Sequence, residues 1–347
     1  MILTYKIRHS RDFSVELDKA RQVAQYAIDH RTLTSRDVKQ FGLKSVISNQ
    51  ILRKYSRNKK ARRARRVKLT VPAQGIRFSH ENRTISIPSL KYETNYLFRN
   101  DFEKINQIEL DKEFVYISVT VPENAMIEPI DYLGVDRNTT GHIAVVGNAN
   151  TGKILKLGKE AEHIHRKYKN MRKNLQRKGK YRKVKKTKSR EKNIVKEINH
   201  KISKKIVQEA KQNGMGIKLE YLQGIRNARS GNSFRYSLNS WSFYQLEKMI
   251  EYKARLLGIP VVYVDPRNTS KECSRCGQIG SRSGKSFKCQ CGHVDHADAN
   301  ASFNIALRPS LESIDRLHAD RDACKGNTDI PKEATLWAIA TLEPHML

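Results

Sequence analysis

The chain contains the stretch Cys273-Ser-Arg-Cys276, followed further on by Cys289-Gln-Cys291-Gly-His-Val-Asp-His-Ala-Asp-Ala-Asn. Two close pairs of cysteines can supply four thiolates, the number that a tetrahedral structural zinc ion takes. Cys-x-x-Cys is the usual spacing of a zinc knuckle, whereas Cys-x-Cys is tighter. A closed set of four sulfurs leaves no position for a reacting water. We therefore predict a structural zinc ion bound by Cys273, Cys276, Cys289 and Cys291.

The remaining histidines and cysteine leave alternatives open. His293 or His296 could replace one of the four cysteine ligands, or the cysteines could be buried without a metal. Cys324 stands alone in the sequence and is most simply an unpaired thiol. Four clustered cysteines out of five fit a reducing compartment and a metal better than disulfides.

The net charge indicates a polyanionic partner. The 347 residues include 67 Lys and Arg against 35 Asp and Glu, a net charge of +32. Such an excess repels itself unless a polyanion neutralises it, so nucleic acid is the leading partner and an ordinary basic enzyme the plainer alternative. No apolar run approaches the ~20 residues that span a bilayer, and the start lacks a signal peptide. We expect no membrane partner and a cytoplasmic, nucleoid-associated protein.

Strand and helix patterns divide the first third of the chain. β-branched and aromatic residues predict that residues 1–11 and 67–125 form a small antiparallel β-barrel or sandwich, of which we favour the barrel. Residues 12–66 form a helical insertion within it. The order helix, Gly-containing turn, helix at residues 35–57 is typical of a helix-turn-helix DNA reader, and equally of any small helical bundle.

A dense run of cations ends this insertion. It comprises Arg53, Lys54, Arg57, Arg62, Arg63, Arg65 and Arg66. A like-charge run of this density is costly without phosphates nearby, although a solvated, frayed helix end is the simpler reading. We favour phosphate contacts, which give affinity and positioning but no choice of sequence.

The second part of the chain predicts a split α/β domain at residues 126–267 and 296–308. Three strands in a meander come first, followed by a very basic helical hairpin at 159–213, and two further strands flank an amphipathic helix at 238–257. Antiparallel strands followed by parallel ones are the layout of an RNase H-like domain. The complete prediction is an α+β multidomain protein.

Two segments complete this organisation. Residues 268–295 carry the cysteines and form a zinc hairpin inserted in the α/β domain. Residues 309–347 have weak periodicity and are expected to be a peripheral, flexible tail.

Three acidic residues stand where strand or helix ends could bring them together. Asp136 ends the first strand of the meander, Glu220 lies among apolar residues of a later strand, and Asp298 begins the last helix. Carboxylate oxygens suit Mg²⁺, and two ions about 4 Å apart can activate water and stabilise the leaving oxygen of a phosphodiester. We predict these three as catalytic magnesium ligands and rank the competitors Asp131 and Asp295 lower.

The whole set of motifs resembles the TnpB family, transposon-encoded relatives of type V CRISPR effector nucleases. The resemblance covers most of the chain and is strongest between about residues 130 and 307. The motifs are Gly134-Val-Asp136-Arg-Asn, Leu219-Glu220-Tyr-Leu, Val264-Asp-Pro-Arg-Asn-Thr-Ser270, Cys273-Ser-Arg-Cys276-Gly and His296-Ala-Asp298-Ala-Asn300-Ala.

The resemblance implies an RNA-guided DNA endonuclease. Asp136, Glu220 and Asp298 would come from the three segments of a RuvC-like domain, with the zinc hairpin between the last two. The N-terminal part would be a wedge barrel whose helical recognition insertion reads a short motif beside the target. The partners would be target double-stranded DNA and a guide RNA from the transposon end, held by their backbones in a positive channel. Arg267 would approach the scissile phosphate.

Two other functions remain open at this point. A nuclease-inactive relative could act as an RNA-guided DNA-binding repressor, although such a protein would be expected to lack one of the three acids. A DNA-binding transposition accessory without guide RNA could instead read DNA through residues 35–57.

Overall fold

The computed structural model describes residues 1–98, 100–222 and 243–311, together with a short strand at Leu336–Ala338. Contacts within the chain divide it into two units, Met1–Pro122 with Ile330–Leu347, and Glu123–Asp329. The finer domain boundaries given above stay predictions. The first residues of the predicted helix at 238–257, the environment of Cys324 and most of the tail lie outside the described residues.

Seven strands belong to the N-terminal part of the first unit. They are β1 (Ile2–Arg8), β2 (Leu69–Pro72), β3 (Arg77–Ser79), β4 (Thr84–Ile87), β5 (Tyr92–Asn95), β6 (Lys104–Leu110) and β7 (Phe114–Thr120). The main sheet has the order Leu336–Ala338, β1, β7, β6, β2 and is antiparallel except for the parallel pairing of Leu336–Ala338 with β1. A shift of register in β6 between Ile105 and Gln107 lets Ile105 and Ile108 both point into the core, although they are three residues apart.

The predicted β-barrel is wrong. Within the described residues, the main sheet ends in two open edges, and β3, β4 and β5 form a separate three-stranded antiparallel sheet. Closing a barrel requires hydrogen bonds between the first and last strands of one sheet. The local alternation of residues predicts strands correctly, but it carries no information on that long-range pairing.

Helices lie between β1 and β2, where the helical insertion is predicted. They are α1 (Ser14–His30), a 3-10 helix at Ser35–Phe41 and α2 (Ser45–Ser56). The turn before α2 contains Gly42 with φ +64°, a backbone conformation that glycine adopts without steric cost. α1 packs against α2 through a stripe of small and aliphatic residues that are fully buried. The DNA-reading interpretation of this helix pair stays a hypothesis.

A second five-stranded sheet forms the centre of the second unit. Its strands are β8 (Tyr132–Arg137), β9 (Ala144–Gly147), β10 (Ile154–Leu157), β11 (Gly216–Glu220) and β12 (Val261–Val264). They lie in the order β10, β9, β8, β11, β12, with the first three antiparallel and β11 and β12 parallel to β8. This is the layout that the RNase H-like prediction requires.

Helices cover this sheet. They are α3 (Glu160–Arg177), α4 (Tyr181–Gln212), α5 (Phe243–Leu256) and α6 (Ala297–Leu307). α3 and α4 form the predicted hairpin, with Gly179 at φ +63° in its turn. The stripe Ile198, Ile202 and Ile206 of α4 packs into the same core as Leu133 of β8. Within the described ranges, no helix combines the length and the apolar composition needed to cross a bilayer.

A small three-stranded antiparallel sheet precedes α6. Its strands are β13 (Ser281–Ser283), β14 (Ser286–Lys288) and β15 (Val294–His296), and Phe287 forms its buried centre. β15 runs directly into α6. The predicted zinc hairpin is therefore continuous with the helix that carries Asp298.

Candidate active site and metal centre

Asp136 and Glu220 lie on neighbouring parallel strands. The register of β8 and β11 pairs Val135 with Leu219, so the next residues along both strands, Asp136 and Glu220, stand side by side. Both residues are buried, with 8% and 7% of their surface exposed. The structure thus brings two of the three predicted carboxylates to one edge of the sheet.

Asp298 reaches the same region because α6 lies very close to β8 and β9. A Cβ atom on Gly134 would lie 2.0 Å from the backbone oxygen of Ser302, and one on Gly147 would lie 2.4 Å from Ser302 Oγ. The two glycines are paired across β8 and β9, so together they leave room for the helix. Asp298, in the first turn of α6, is fully buried, and its charge contributes to the raised pKa of Asp136.

Burial raises the pKa values of Asp136 and Glu220. Burial, followed by the charge of Glu220, raises the pKa of Asp136 to about 7. Burial also raises the pKa of Glu220, against the opposing effect of a hydrogen bond from Thr269. The hydrogen-bond donors are neutral: Asn138 Nδ2 to Asp136 Oδ2 at 2.8 Å and Thr269 Oγ1 to Glu220 Oε1 at 2.5 Å. Buried carboxylates whose direct hydrogen-bond donors are neutral are suited to bind a divalent cation.

The three carboxylates fit magnesium by their chemistry and do not form one tight cage. Among the described residues, only the four cysteines form a group of three or more potential ligands whose atoms all lie within 4.8 Å of one another. The carboxylates are therefore more widely spread than a single-ion cage.

Arg137 supports the end of β11 from beneath the site. Its side chain is fully buried and donates from Nη2 to the backbone oxygen of Glu220 at 2.5 Å and from Nη1 to Glu247 Oε2 at 2.6 Å. The guanidinium thereby joins β8, β11 and α5 next to the two carboxylates. Arg137 is a positioning residue, because it contacts the backbone of Glu220.

Asp298 differs from the other two acids in having cationic partners. Arg282 Nη2 lies 3.1 Å from its Oδ1, and Lys285 Nζ lies 2.5 Å from its Oδ2. Arg282 lies in β13, and Lys285 lies in the turn between β13 and β14. Each oxygen of Asp298 is thus bonded to one positive charge.

The cysteine group has the dimensions of a zinc site. It consists of Cys273, Cys276, Cys289 and Cys291. Two of its S···S distances are 3.7 and 3.5 Å, close to the edge of about 3.8 Å expected for a tetrahedron with zinc–sulfur bonds of about 2.3 Å. Gly277 and Gly292, with φ of +72° and +84°, form the turns after the two pairs. These residues could hold a structural zinc ion; neither His293 nor His296 belongs to the group.

Two asparagines connect this centre to α6. Asn300 accepts from the backbone N–H of Ser274 at 2.9 Å and donates to the backbone oxygen of Glu272 at 2.6 Å. Asn304 donates to the backbone oxygens of Thr269 and Glu272 at 2.8 and 2.7 Å. The segment that leads into the first cysteine pair is therefore tied to the helix that carries Asp298.

The competing acids occupy other places. Asp131 precedes β8, at the opposite end of the strand from Asp136, and accepts a hydrogen bond from Asn150. Asp295 lies on β15, where its Oδ1 accepts from the backbone N–H of His296. Neither is among the charges that raise the pKa of Asp136 most.

The predicted phosphate-contacting residues are all exposed. They are Arg53, Lys54, Arg57, Arg62, Arg63, Arg65, Arg66 and Arg267. Lys54 is engaged with a carboxylate, because its Nζ lies 2.8 Å from Glu109 Oε1. Arg65 and Arg66 line an open groove of about 610 Å³ in the first unit, together with further cations such as Lys112. Contacts with nucleic acid remain predictions for all eight.

Comparison with known proteins decides the family. A family model described as Cas12f1-like, TNB domain, matches residues 243–305. The TnpB-like protein MJ0751 of Methanocaldococcus jannaschii is 31% identical over 238 residues, which cover 64% of this chain and 85% of that protein. The chain belongs to the TnpB-like family.

Other relatives of this TnpB-like chain are CRISPR effectors. The CRISPR-associated endodeoxyribonuclease Cas12f1 of Sulfoacidibacillus thermotolerans is 43% identical over 121 residues, a third of this chain but only 27% of that protein. A solved Cas12f1–sgRNA–target DNA complex contains a chain with the same fold, at a TM-score of 0.58 and 15% identity, with 85% of this chain and 82% of that one covered. This chain is thus related to Cas12f1, of which that match covers only a small part.

Several residues at the site of this TnpB-like chain escaped the sequence analysis. They are Arg137, Asn138, Thr269, Arg282, Lys285, Asn300 and Asn304. Arg137, Asn138, Thr269 and Asn300 do lie inside the quoted motifs, so the motifs indicated the right positions without giving the roles of these residues. Arg282 and Lys285 carried no signal, because they are two cations among many in a strongly basic chain.

Proposed function

We propose that the chain is an RNA-guided DNA endonuclease of a transposon, which cuts target DNA beside a short adjacent motif by hydrolysing phosphodiester bonds in a RuvC-like site. One observation carries the proposal: three separate elements present buried carboxylates near one edge of a sheet, where burial and then the charge of Glu220 raise the pKa of Asp136 to about 7. Membership of the TnpB-like family and similarity to endodeoxyribonucleases support it.

The three acids would share one role. Asp136, Glu220 and Asp298 would hold divalent cations, in our proposal two Mg²⁺ ions. Such ions, when bound, activate the attacking water and stabilise the leaving oxygen. Thr269 orients the Glu220 carboxylate through its hydrogen bond, and Arg137 fixes the backbone that carries it. Arg267, exposed two residues before Thr269, would approach the scissile phosphate.

The zinc site and the charge complete the proposal. A zinc ion on the four cysteines would be structural and would hold the segment that Asn300 and Asn304 tie to α6. The net charge of +32 suits a guide RNA paired with target DNA, recognised through the backbone. The solved Cas12f1 relative is itself in complex with sgRNA and target DNA.

Cleavage tests the catalytic part of the proposal. A supercoiled plasmid with target and adjacent motif should be cut by the purified protein with its RNA in Mg²⁺ and left intact in EDTA. Asp136→Ala, Glu220→Ala and Asp298→Ala should each abolish cutting and leave DNA binding intact. Asp131→Ala, at the other end of β8, is the matched control and should cut normally. If both Asp136→Ala and Glu220→Ala still cut, the catalytic assignment is wrong.

The nucleic acid that co-purifies tests the guide. After expression with the flanking transposon sequence, we expect one discrete RNA that the protein protects from RNase. Retention of DNA alone would support the alternative of a transposition accessory without guide RNA. Binding of RNA and matching DNA without any cutting by the wild-type protein would support the repressor alternative. Sequencing the protected RNA would also define its boundaries.

A further inference from the structure

Asp298 is the one acid of the three whose carboxylate oxygens are both bonded to cations. Arg282 and Lys285 lie 3.1 and 2.5 Å from its two oxygens, whereas the donors to Asp136 and Glu220 are the neutral side chains of Asn138 and Thr269. Asp298 is fully buried, and an ionised carboxylate in such a place requires a compensating charge. Arg282 and Lys285 supply that charge.

The zinc hairpin holds these cations next to Asp298. Ser286 of β14 pairs with His296 of β15, and the backbone N–H of Ala297 donates to the backbone oxygen of Lys285 at 2.9 Å. The backbone of Lys285 therefore lies beside the residue before Asp298 whatever its side chain does. The side chains themselves are long and partly exposed, 29% for Arg282 and 38% for Lys285, so they can move to solvent without a change of fold.

A divalent cation would need the same oxygens. Metal ligation uses the carboxylate oxygens that now accept from Arg282 and Lys285, and three positive centres on one carboxylate repel one another. We propose that Arg282 and Lys285 are displaceable counter-ions of Asp298, which lower its affinity for a divalent cation until that cation replaces them. This inference rests on the proposed role of Asp298 as a metal ligand. It adds that two basic side chains of the same chain set the affinity of Asp298 for the metal.

The direction in which metal affinity changes when the two cations are removed distinguishes a competing role from a supporting one. If the cations compete with the metal, their removal tightens metal binding; if they hold Asp298 in place for the metal, their removal weakens it. Hydrogen bonds to charged groups correspond to factors of roughly ten or more in an equilibrium constant. Removing both cations should therefore tighten divalent binding on the order of tenfold, and removing Lys285 alone should have a smaller effect in the same direction.

Mn²⁺ binding followed by electron paramagnetic resonance is the test, on the zinc-containing full chain freed of nucleic acid. The variants are Lys285→Gln, the double variant Arg282→Gln/Lys285→Gln, and an exchange of the two cations, Arg282→Lys/Lys285→Arg. Lys288→Gln removes one positive charge from exposed β14 and controls for the general gain in attraction of cations. The exchange variant and the control should stay within about twofold of the wild type, and zinc content should be unchanged in all.

The outcomes are distinct. Tighter Mn²⁺ binding by the double variant, lost again when Asp298→Asn is added, supports the inference. Unchanged or weaker binding by the double variant overturns it while leaving the metal site intact. If Asp136→Asn and Asp298→Asn do not lower Mn²⁺ binding in either background, the carboxylates are not the metal site, and both the proposed function and this inference fail.

Discussion

Substitution of Gly134 by alanine should damage the site by moving α6. The added Cβ would lie 2.0 Å from the backbone oxygen of Ser302 and 2.5 Å from the backbone nitrogen of Ala306. Both atoms belong to the helix backbone, so no side-chain rotation can relieve the overlap. The helix, with Asp298 in its first turn, must move away from β8.

The required displacement follows from the distances. An ordinary contact for a Cβ atom begins near 3.4 Å, so the oxygen at 2.0 Å must move by about 1.4 Å. Overpacking of a core typically costs about 1–3 kcal/mol. A displacement of ~1 Å at a catalytic group can lower the rate about 100-fold. We therefore expect Gly134→Ala to lose more than tenfold in cleavage while the unit still folds.

Gly147 provides the matched comparison. Its Cβ would meet side-chain atoms, Ser302 Oγ at 2.4 Å and the ring of Phe303 at 2.9 Å. Ser302→Ala should therefore partly rescue Gly147→Ala and should not rescue Gly134→Ala. The readouts are urea unfolding, Mn²⁺ affinity and single-turnover cleavage. If Gly134→Ala cuts within threefold of the wild type, or Ser302→Ala rescues it, close backbone packing does not position Asp298.

Three further predictions concern a cysteine of the predicted zinc site, the hydrogen bond to Glu220, and the ion pairs of Glu109. Cys276→Ser should lower the zinc content, measured by metal analysis, and should also lower the stability of the zinc hairpin and the cleavage rate. Retained zinc with lost cleavage would contradict a purely structural role. Thr269→Val should lower cleavage about 10- to 100-fold at nearly unchanged stability, while Thr269→Ser should retain activity; equal rates for both variants would show that the hydrogen bond to Glu220 is unimportant. Glu109→Gln should cost about 1 kcal/mol in urea unfolding at pH 7. Burial opposes the ionisation of Glu109, but Lys54 and Lys68 outweigh it and hold its pKa below 4.5, so this contribution should be present above pH 4.5 and disappear as the pH falls further; a difference that persists at pH 3 would contradict the assignment.

Local patterns predicted the elements of this fold well. The aliphatic stripe of α4 and the β-branched runs of β8 and β9 report directly which face of a helix or strand is buried. The antiparallel meander followed by parallel strands could be predicted because helical segments separate β8, β11 and β12 in the sequence. The barrel failed because the pairing of Leu336–Ala338 with β1 joins opposite ends of the chain, and no local periodicity encodes it.

The candidate site also has a part that the sequence predicted and a part that it did not. Asp136, Glu220 and Asp298 could be selected from the sequence because an acid among apolar residues, or at the end of an element, is unusual enough to need a reason. Their partners could not. Arg137 meets Glu220 across 83 residues and Thr269 meets it across 49, so these contacts become visible only in the folded chain.

The cysteine stretch contacts α6, the helix that carries Asp298. One side of this helix rests on the glycines of β8 and β9, and Asn300 and Asn304 bind the segment before the first cysteine pair from another. The zinc hairpin also supplies Arg282 and Lys285, the counter-ions of Asp298. A structural zinc ion would therefore fix both the position of this carboxylate and the cations that compete for it. Loss of zinc should release the two cations along with the support, so metal affinity at the carboxylates should fall less steeply than cleavage, which depends on geometry.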